Sequence, residues 1–402
     1  MDTLPKLPLL FTPITLGDIT LRNRVLVSPM CQYNSNAEGS PWDYHLVHLG
    51  QFAMGGAGLV FCEETAVEYR GKKSYHCAGI YDDKHVAQYR RINDFVRTHG
   101  AVPAIQLGHG GRKGSGRPPW EGYRPLTEAD AANGEAPWTT LSSSPVPAGE
   151  NAPVPHEMSV SEIKQCIGAW RDAASRSADA GYDVVEVHAA HGYLIHQFLS
   201  PLVNQRSDAY GGDLNGRMRF CMEVIEAVRA VWPKNKPVFV RFSAVDGSGP
   251  AWTLEDTIVI SRAAKERGVA VITPSSGGIG GAGSATLVAR VPGYHVPFAQ
   301  RVRAAVGIPT IAVGFITEAK QAEQILQEGS ADLIGIAREF LWNPYWAVHA
   351  ARELGVPNYH DLLPRTYSWW LKRRDQIRDV TRVAATEAAR GAAPISITPD
   401  AK

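Results

Sequence analysis

The sequence lacks long apolar segments and has no excess of charge of either sign. No stretch of it approaches the ~20 consecutive apolar residues that a membrane-spanning helix needs. Lys and Arg together number 41 and Asp and Glu 40, so the chain offers no basic field to nucleic acid or anionic lipid. The N-terminal residues, MDTLPKLPLLFTP, also lack the charged and apolar regions of a secretory signal peptide. These absences predict a cytoplasmic protein that binds neither nucleic acid nor a membrane.

Paired cysteines are missing as well. The five cysteines are an odd number and include no C-x-x-C pair: Cys31, Cys62, Cys77, Cys166 and Cys221. This pattern fits a reducing compartment better than a disulfide framework, and it lacks the ligand spacing of zinc knuckles and iron–sulfur clusters. We therefore expect a protein without a metal. Its 402 residues, 44% of them apolar and 20% charged, suffice for two ordinary globular domains or for one large α/β barrel.

Short β-branched runs alternate along the chain with amphipathic helical patterns. Eight runs predict strands, and these begin at Val25, Gly58, Val102, Asp183, Pro237, Val269, Pro309 and Asp332. One helix is predicted to start at a Ser159 N-cap with Glu162 three residues later, and another to be capped by Thr317 and closed by Gly329. Apolar strands that alternate with helices favour parallel pairing under a cover of helices. Eight such units predict a closed (β/α)8 TIM barrel, with an open doubly wound sheet as the alternative.

Three segments lie outside this repeating pattern. Residues 10–24, LFTPITLGDITLRNR, predict a β-hairpin that closes the mouth of the barrel at which the strands begin. Residues 113–156, rich in Gly, Pro, Ser and Trp, predict a long loop after strand three that covers the active-site face. We expect residues 1–365 to form a single barrel domain and residues 366–402 a C-terminal extension, mobile or weakly helical from about Thr381 onwards.

The fourth predicted strand ends in residues suited to acid–base chemistry. From Val184 the chain reads VVEVHAAHGYLIHQFLSP, which places His188, His191 and Tyr193 together at the end of the strand. Two imidazole N–H groups can converge on one oxygen atom, and a nearby phenol can deliver a proton. A site that turns a conjugated carbonyl group into an enolate needs these groups. A single His–Tyr pair at a strand end is more often structural, so the other strand ends decide between the two interpretations.

Polar residues also occupy the ends of the other predicted strands. In chain order they are Ser28-Pro29-Met30-Cys31 with Tyr33, Glu63-Glu64-Thr65, Gln106, Arg241, Ser275-Ser276-Gly277-Gly278, Gly314 and Arg338. Polar side chains in apolar strands are unfavourable unless paired, and active sites of TIM barrels lie where the strands end. Gly314 and Arg338 follow strands seven and eight, the usual phosphate site of such barrels, where free backbone N–H groups and a guanidinium can hold an anion. The whole set favours a functional site.

Two motifs point to other functions but lack the necessary context. Gly278-x-Gly280-x-x-Gly283 matches the dinucleotide fingerprint, yet Pro292 and the absence of a helical period after it predict a loop. His188-x-x-His191 lacks the glutamate of a zinc-binding H-E-x-x-H motif, and no third ligand is evident. A metal-dependent barrel hydrolase that uses these two histidines therefore stays only as an alternative function.

With these residues assembled, the chain resembles the old yellow enzyme family of FMN-dependent ene-reductases, and within it the thermophilic-like and xenobiotic reductase subclass. The resemblance runs from about Leu10 to Leu354 and rests on SPMCQY, IQLGHGGRK, VFVRFSA, SSGG, AVGFIT, DLIGIAREFL and the long string VVEVHAAHGYLIHQFLSPLVNQRSDAYGGDLNGRMRF. It implies non-covalent FMN that is reduced by NADPH or NADH. It also implies ping-pong reduction of the C=C bond of α,β-unsaturated carbonyl or nitro compounds.

The resemblance also implies a role for individual residues. Those expected around the flavin are Ser28, Pro29, Met30, Cys31, Glu64, Gln106, His188, Arg241, Gly314, Ala337 and Arg338. Within this set Cys31 tunes the flavin potential, Gln106 binds the pyrimidine edge and Arg241 stabilises the anionic reduced ring. The substrate oxygen is bound by His188 and His191, and Tyr193 protonates the α-carbon. Tyr33 and one of Trp369 or Trp370 are expected to shape the substrate slot.

Three positions depart from the pattern of that family. Glu64 stands where relatives carry alanine or glycine near the O4 edge of the flavin, so its carboxylate must point away or be paired. Ala337 replaces a glycine before the phosphate-binding arginine, and strand six ends in Ser-Ser-Gly-Gly instead of carrying an acidic residue. A flavin-binding sensor in which Glu64 suppresses turnover is therefore a further alternative.

The resemblance bears on assembly and on related activities as well. It suggests a homodimer or homotetramer in which the segment from Trp369 to Arg373 reaches a neighbour's active site. Relatives with dienoyl-CoA reductase or amine dehydrogenase activity carry a cysteine cluster and further domains after the barrel. This sequence has neither, so those activities are disfavoured.

Overall fold

Eight parallel strands form the centre of the protein in the computed structural model, which describes residues 7–246, 251–280 and 288–389. The strands are β1 (Val25–Val27), β2 (Leu59–Ala66), β3 (Val102–Gly108), β4 (Val184–Ala189), β5 (Val238–Ser243), β6 (Val269–Ser275), β7 (Ile311–Ala312) and β8 (Leu333–Ile336). They pair in the order β6-β5-β4-β3-β2-β1-β8-β7. A parallel bridge between Ile272 and Thr310 joins the two ends and closes the barrel. All eight predicted strands and the (β/α)8 barrel are confirmed, and the open sheet is wrong.

Helices follow the strands and cover the outside of the barrel. They are α1 (Asp43–Met54), α2 (Val86–Thr98), α3 (Glu128–Ala131), α4 (Val160–Asp179), α5 (Leu194–Leu199), α6 (Leu214–Val231), α7 (Leu254–Glu266), α8 (Val296–Val306), α9 (Ala319–Gln327), α10 (Arg338–Trp342), α11 (Trp346–Glu353) and α12 (Arg365–Ala389). Short 3-10 helices span Leu9–Phe11, Tyr69–Gly71, Asp83–His85, Gly111–Lys113, Pro119–Glu121 and Tyr359–Leu362. Among the described helices, none combines the length and the apolar character required to span a bilayer.

The two predicted helix caps have different outcomes. Ser159 and Glu162 form a capping box, because the Ser159 hydroxyl accepts from the Glu162 N–H at 3.2 Å and the Glu162 carboxylate accepts from the Ser159 N–H at 2.8 Å. The prediction of a Thr317 cap is wrong, because α9 begins one residue later with Glu318 at the N-cap. The Thr317 hydroxyl instead donates to the Glu318 carboxylate at 3.3 Å. Gly329 follows the end of α9 in the left-handed conformation, at φ +67°, as a closing glycine should.

The interior of the barrel is filled by apolar side chains from alternate strand positions. The buried ones are Leu16, Leu21, Leu26, Leu59, Phe61, Ala104, Val184, Phe239, Val271, Ile311, Val313 and Leu333. Leu16 and Leu21 come from the antiparallel hairpin of strands Ile14–Leu16 and Ile19–Leu21, which confirms that this hairpin plugs the barrel where the strands begin. A second and larger cluster lies between the strands and the helices. Because the strands are buried on both faces, they read as almost unbroken apolar runs.

The long segment after β3 folds over the opposite mouth, as predicted. Arg112, just before residues 113–156, donates to the carbonyl oxygens of Val146 and Pro147 at 3.1 and 2.9 Å and also to that of Ile279 after β6. The ring of Trp120 lies 5.6 Å from that of Tyr33, which follows β1. The segment therefore joins the ends of several strands and covers that face of the barrel.

The C-terminal helix α12 packs against the 3-10 helix Tyr359–Leu362. His360 and Asp375 form one contact between them, with 3.0 Å from the imidazole Nε2 to the carboxylate. Thr381, where the extension was predicted to loosen, lies within α12. The predicted mobile tail beyond it, residues 390–402, lies outside the described residues.

The hairpin plug makes a testable contribution to stability. Leu21 is 1% exposed, so Leu21→Ala removes apolar contacts that nothing else can replace. We expect a loss of about 2–4 kcal/mol in the free energy of unfolding, measured by urea denaturation. Thr20→Ala, at the neighbouring exposed position, is the control and should change it by less than about 0.5 kcal/mol. Equal losses in both variants would show that the hairpin does not plug the barrel.

Candidate active site

The polar residues predicted at the strand ends come together because the strands are parallel and in register. Two rows of neighbours result: Glu64–Gln106–Glu186 across β2, β3 and β4, and His188–Arg241–Thr273 across β4, β5 and β6. Both rows lie towards the carboxyl ends of their strands, the face that the long segment after β3 covers. The structure thus places the candidate residues where barrels of this type carry their chemistry.

The two histidines meet at a single point. The His188 Nε2 and His191 Nδ1 atoms are 3.1 Å apart. The other nitrogen of each ring has its own partner: Ala190 N–H donates to His188 Nδ1 at 3.2 Å, and His191 Nε2 lies 2.8 Å from the Ser275 hydroxyl. His191 has the left-handed backbone conformation, at φ +59°, and its N–H donates to the Ser243 hydroxyl at 2.9 Å. These bonds hold both rings in one orientation.

The partners of the rings determine where their protons lie. Since His188 Nδ1 accepts from a backbone N–H, the His188 proton is on Nε2. His188 Nε2–H donates to His191 Nδ1 across the 3.1 Å contact, so His191 carries its proton on Nε2. That N–H and Arg241 Nη2, the latter at 3.3 Å, both donate to the Ser275 hydroxyl. The two facing nitrogens thus lie at one place, where an oxygen atom would accept from His188 and, in the other tautomer of His191, from both rings.

Both histidines are neutral donors. Burial lowers the pKa of His188 and of His191 well below the usual range, and the neighbouring charge of Arg241 lowers both further. A neutral imidazole keeps one N–H to donate and adds no net charge to a closed site.

Tyr193 lies beside this pair. Its ring centroid is 5.0 Å from that of His188, and its backbone is the N-cap of α5. Burial raises the pKa of Tyr193 to about 12, so the phenol keeps its proton at neutral pH. Two ammonium groups flank the ring: Lys73 Nζ is 5.2 Å and Lys113 Nζ 5.6 Å from its centroid.

A buried carboxylate that sequence reasoning missed orients Gln106. The Gln106 Nε2 atom donates to Glu186 at 2.7 Å, and the Thr273 hydroxyl donates to the other carboxylate oxygen at 2.6 Å. With its amide nitrogen turned to Glu186, Gln106 presents its carbonyl oxygen as the free acceptor. Burial raises the pKa of Glu186, while Arg241 opposes that effect. A charged residue inside the apolar run VVEVH was the signal that could have revealed it.

The described residues fit the anionic heteroaromatic cofactor that the family resemblance implies. Arg241 Nε and His295 Nδ1 are buried without a hydrogen-bond partner, so a guanidinium N–H and an imidazole nitrogen are available to a further group. Gly314 has φ +104°, and a Cβ at this position would lie 3.0 Å from the backbone nitrogen of His295. Only glycine avoids that close approach. Arg338 is exposed as the first residue of α10, and Ala337 is its N-cap. Gly314 and Arg338 thus follow adjacent strands, as a phosphate site requires.

Glu64 is paired and does not point away. Its carboxylate forms an ion pair with Lys73, and the two side chains are 4% and 7% exposed. The Cys31 thiol donates to the same carboxylate at 4.0 Å, and burial raises the pKa of that thiol to about 11. Lys73 was not among the predicted site residues, because nothing in the run RGKKS marks one lysine as buried.

The remaining predicted residues divide into two groups. Ser28, Pro29 and Met30 follow β1 directly, Ser28 is buried, and its N–H donates to the Ile336 carbonyl at 2.8 Å. Tyr33, a few residues later, has φ +52° and contacts the long segment after β3. Trp369 and Trp370, by contrast, lie on α12 with 56% and 62% of their surface exposed. Their place in a substrate slot stays a prediction about a neighbouring subunit.

The alternative metal site gains no support from the described residues. The one described group of three potential ligands is Glu68, His109 and Cys166, which includes neither His188 nor His191. In the dinucleotide-like motif, Gly278 has φ +93°, and the residues that follow Gly280, Gly283 among them, lie outside the described residues.

Comparison with known proteins places this geometry in context. The model of the NADH:flavin oxidoreductase / NADH oxidase family matches residues 9–356. The chain is 42% identical over 351 residues to an NADPH dehydrogenase of Geobacillus thermodenitrificans (strain NG80-2), covering 86% of this chain and 95% of that one. Morphinone reductase in complex with tetrahydroNAD aligns with a TM-score of 0.70 at 25% identity, covering 86% and 91% of the two chains. An old yellow enzyme homologue from Zymomonas mobilis shares the fold, with a TM-score of 0.70 at 23% identity over 87% and 94%.

The neutral histidines make the stability of the protein without cofactor depend on pH. Below about pH 6.5 an unfolded histidine binds a proton that buried His188 does not, so protons favour the unfolded chain. At about pH 5.5 this difference removes up to about 1.4 kcal/mol of stability that is present at neutral pH. We expect His188→Asn to lose that part of the pH dependence in urea denaturation, and His156→Gln, at an exposed site, to keep it. The same dependence in all three proteins would contradict a neutral His188.

Two substitutions separate the hydrogen bond that Glu186 accepts from Gln106 from the effect of its charge. Glu186→Leu leaves the Gln106 amide without its acceptor, and we expect FMN affinity to fall about 10-fold in a fluorescence titration. Glu186→Gln keeps an acceptor oxygen for Gln106, since the Thr273 hydroxyl can turn to accept from the new N–H2 group. It should therefore bind FMN nearly as the natural protein does. Equal weakening by both variants would indicate that Glu186 acts through its charge.

Proposed function

The chain belongs to the NADH:flavin oxidoreductase / NADH oxidase family and is an FMN-dependent NAD(P)H oxidoreductase of the old yellow enzyme type, and we propose that it reduces activated C=C bonds. The substrates proposed are α,β-unsaturated carbonyl and nitro compounds. The observation that carries this proposal is the convergence of His188 Nε2 and His191 Nδ1 at 3.1 Å. An oxygen between these nitrogens would accept from His188 Nε2–H and, in the His191 tautomer protonated on Nδ1, from both neutral rings, which suits an oxygen that gains negative charge during the reaction.

The side chains supply binding and proton transfer. The FMN that these residues would hold would supply hydride-transfer chemistry between NAD(P)H and the β-carbon of the substrate. His188 and His191 hold the carbonyl or nitro oxygen, which polarises the double bond and stabilises the enolate or nitronate. Tyr193, beside His188, gives its proton to the α-carbon. Because one pocket serves both the nicotinamide and the substrate, we expect ping-pong kinetics.

The cofactor is proposed to rest on four groups of residues. Ser28, Pro29, Met30 and Cys31 line its ring, and Gln106, held by Glu186, offers its carbonyl oxygen to a ring N–H. Arg241, with a free Nε, stabilises the negative charge of the reduced ring. Gly314, Ala337 and Arg338 hold the phosphate at the ends of β7 and β8.

The ion pair of Glu64 argues against the sensor alternative. That alternative rested on an uncompensated carboxylate that disfavours reduced flavin. Lys73 supplies a compensating positive charge within the same buried region, so that reason for suppressed turnover is gone.

The proposed function is tested by removing the donors. His188→Ala combined with His191→Ala should lower kcat/KM for an enone about 100- to 1000-fold, because the oxyanion loses both hydrogen bonds. Reduction of the flavin by NADPH, followed anaerobically as bleaching of its visible band, should persist. His156→Gln, an exposed histidine, serves as the control. Enone turnover that survives with an unchanged KM would show that these histidines do not bind the substrate oxygen.

A further inference from the structure

The buried ion pair between Glu64 and Lys73 supplies neither the proposed oxygen-binding groups nor the proposed proton donor. Glu64 is in β2 and Lys73 follows in the segment after it, with 4% and 7% of their side chains exposed. Within the described residues, Glu64 Oε1 and Lys73 Nζ make no hydrogen bond apart from that ion-pair contact. Placing two charges in such a site is unfavourable unless their surroundings complete the bonding. A contribution to the stability of the fold alone therefore does not account for this ion pair.

The Glu64–Lys73 ion pair lies beside the Tyr193 phenol and the Cys31 thiol. Lys73 Nζ lies 5.2 Å from the ring centroid of Tyr193, within the range in which an ammonium interacts with an aromatic ring. The Cys31 thiol donates to Glu64, which ties the carboxylate to the segment after β1. Glu64 is also close to Gly108, where a Cβ would fall 2.1 Å from its Oε1 atom. The carboxylate is thus confined, and it confines Lys73.

We propose that Glu64 holds the ammonium of Lys73 against Tyr193, where it stabilises the phenolate that Tyr193 becomes when it gives up its proton. This inference rests on the proposed function, in which Tyr193 is the proton donor. In that step the O–H bond of Tyr193 breaks, a C–H bond forms at the α-carbon, and the electron pair of the O–H bond stays on the phenolate oxygen. Water later returns the proton to the phenolate. Lys73 and Glu64 act through Tyr193 and are positioning residues.

Of the two lysines beside the Tyr193 ring, Lys73 is the one that remains fully charged at neutral pH, and the Arg241 guanidinium is a further positive charge that acts on Tyr193. The titratable and charged groups that face Tyr193 come from five parts of the barrel. They are Cys31 and Tyr33 from the segment after β1, Lys73 and Cys77 from the segment after β2, Lys113 and Tyr123 from the segment after β3, His188 and His191 from β4 and its end, and Arg241 from β5. Burial lowers the pKa of Lys113 to about 7, so it is only partly charged at neutral pH, and its ammonium donates to the His191 carbonyl at 2.9 Å. Burial also opposes the charge of Lys73, but the acidic groups around it, Cys31 foremost, raise its pKa well above the ordinary value.

The experiment measures the acidity of Tyr193 directly in the holoenzyme. 3-Fluorotyrosine is incorporated at position 193, which brings the titration into an accessible pH range, and its 19F NMR signal is followed against pH. Lys73→Met should make this phenol about 10- to 100-fold less acidic, because the positive charge beside its ring is gone. Glu64→Gln should make it about 10-fold more acidic, because Lys73 is then uncompensated. Lys73→Arg should keep the acidity close to that of the natural protein.

Two further variants keep the test decisive. Lys73→Met leaves Glu64 unpaired and could fail to fold for that reason. In that case Glu64→Gln is compared with the double variant Glu64→Gln/Lys73→Met. The phenol at position 193 should be less acidic in the double variant than in Glu64→Gln. Lys72→Met is the matched control, since the Lys72 ammonium is bound to the Ala37 and Tyr75 carbonyls at 2.8 and 3.0 Å. It should leave the titration unchanged.

The outcomes separate this inference from the proposed function. Titration at the same pH in the natural protein, Lys73→Met and Glu64→Gln overturns the role of the ion pair, even if Tyr193→Phe loses turnover. Full enone turnover in Tyr193→Phe overturns the proton-donor role itself, whatever the titration shows. Opposite shifts in Lys73→Met and Glu64→Gln, together with slower enone reduction in Lys73→Met, support both.

Discussion

The buried guanidinium of Arg241 is the charge around which the rest of the site is organised. It donates to Ser275, which lies against His191, and its charge helps to keep both His188 and His191 neutral. It also opposes the effect of burial on Glu186, the carboxylate that orients Gln106. A buried cation is tolerable only where such partners surround it. One residue of β5 thereby acts on both the histidine pair and the Glu186–Gln106 pair.

The ion pair between Glu64 and Lys73 is the other buried set of charges in the pocket. Glu64 and Lys73 compensate one another, so the carboxylate that looks incompatible with a reduced flavin adds no net charge. The site thus combines neutral donors at His188 and His191 with charges that are paired or close to a partner. In a buried environment of low dielectric constant, each of these groups acts more strongly than it would in water.

Much of the architecture follows from local patterns. The eight apolar runs became the eight strands, and the hairpin of residues 10–24 closes the barrel as predicted, because Leu16 and Leu21 alternate with exposed threonines. The Ser159 cap also needed only its neighbour Glu162. The Thr317 cap failed because its hydroxyl bonds to the adjacent Glu318, a competition that propensity alone does not reveal.

The sequence by itself determined the barrel and the candidates for the reacting side chains, because periodicity and strand ends are local properties. His188, His191 and Tyr193 lie within six residues of one another and needed no distant contact to be recognised. Only the tertiary structure decided the partners: Ser275 lies 84 residues from His191, and Glu186 lies 80 residues from Gln106. Lys73 belongs to the same class, since its burial against Glu64 depends on how the segment after β2 folds back. Hydrogen bonds and ion pairs between separate strands depend on register and closure of the barrel, which no single segment encodes.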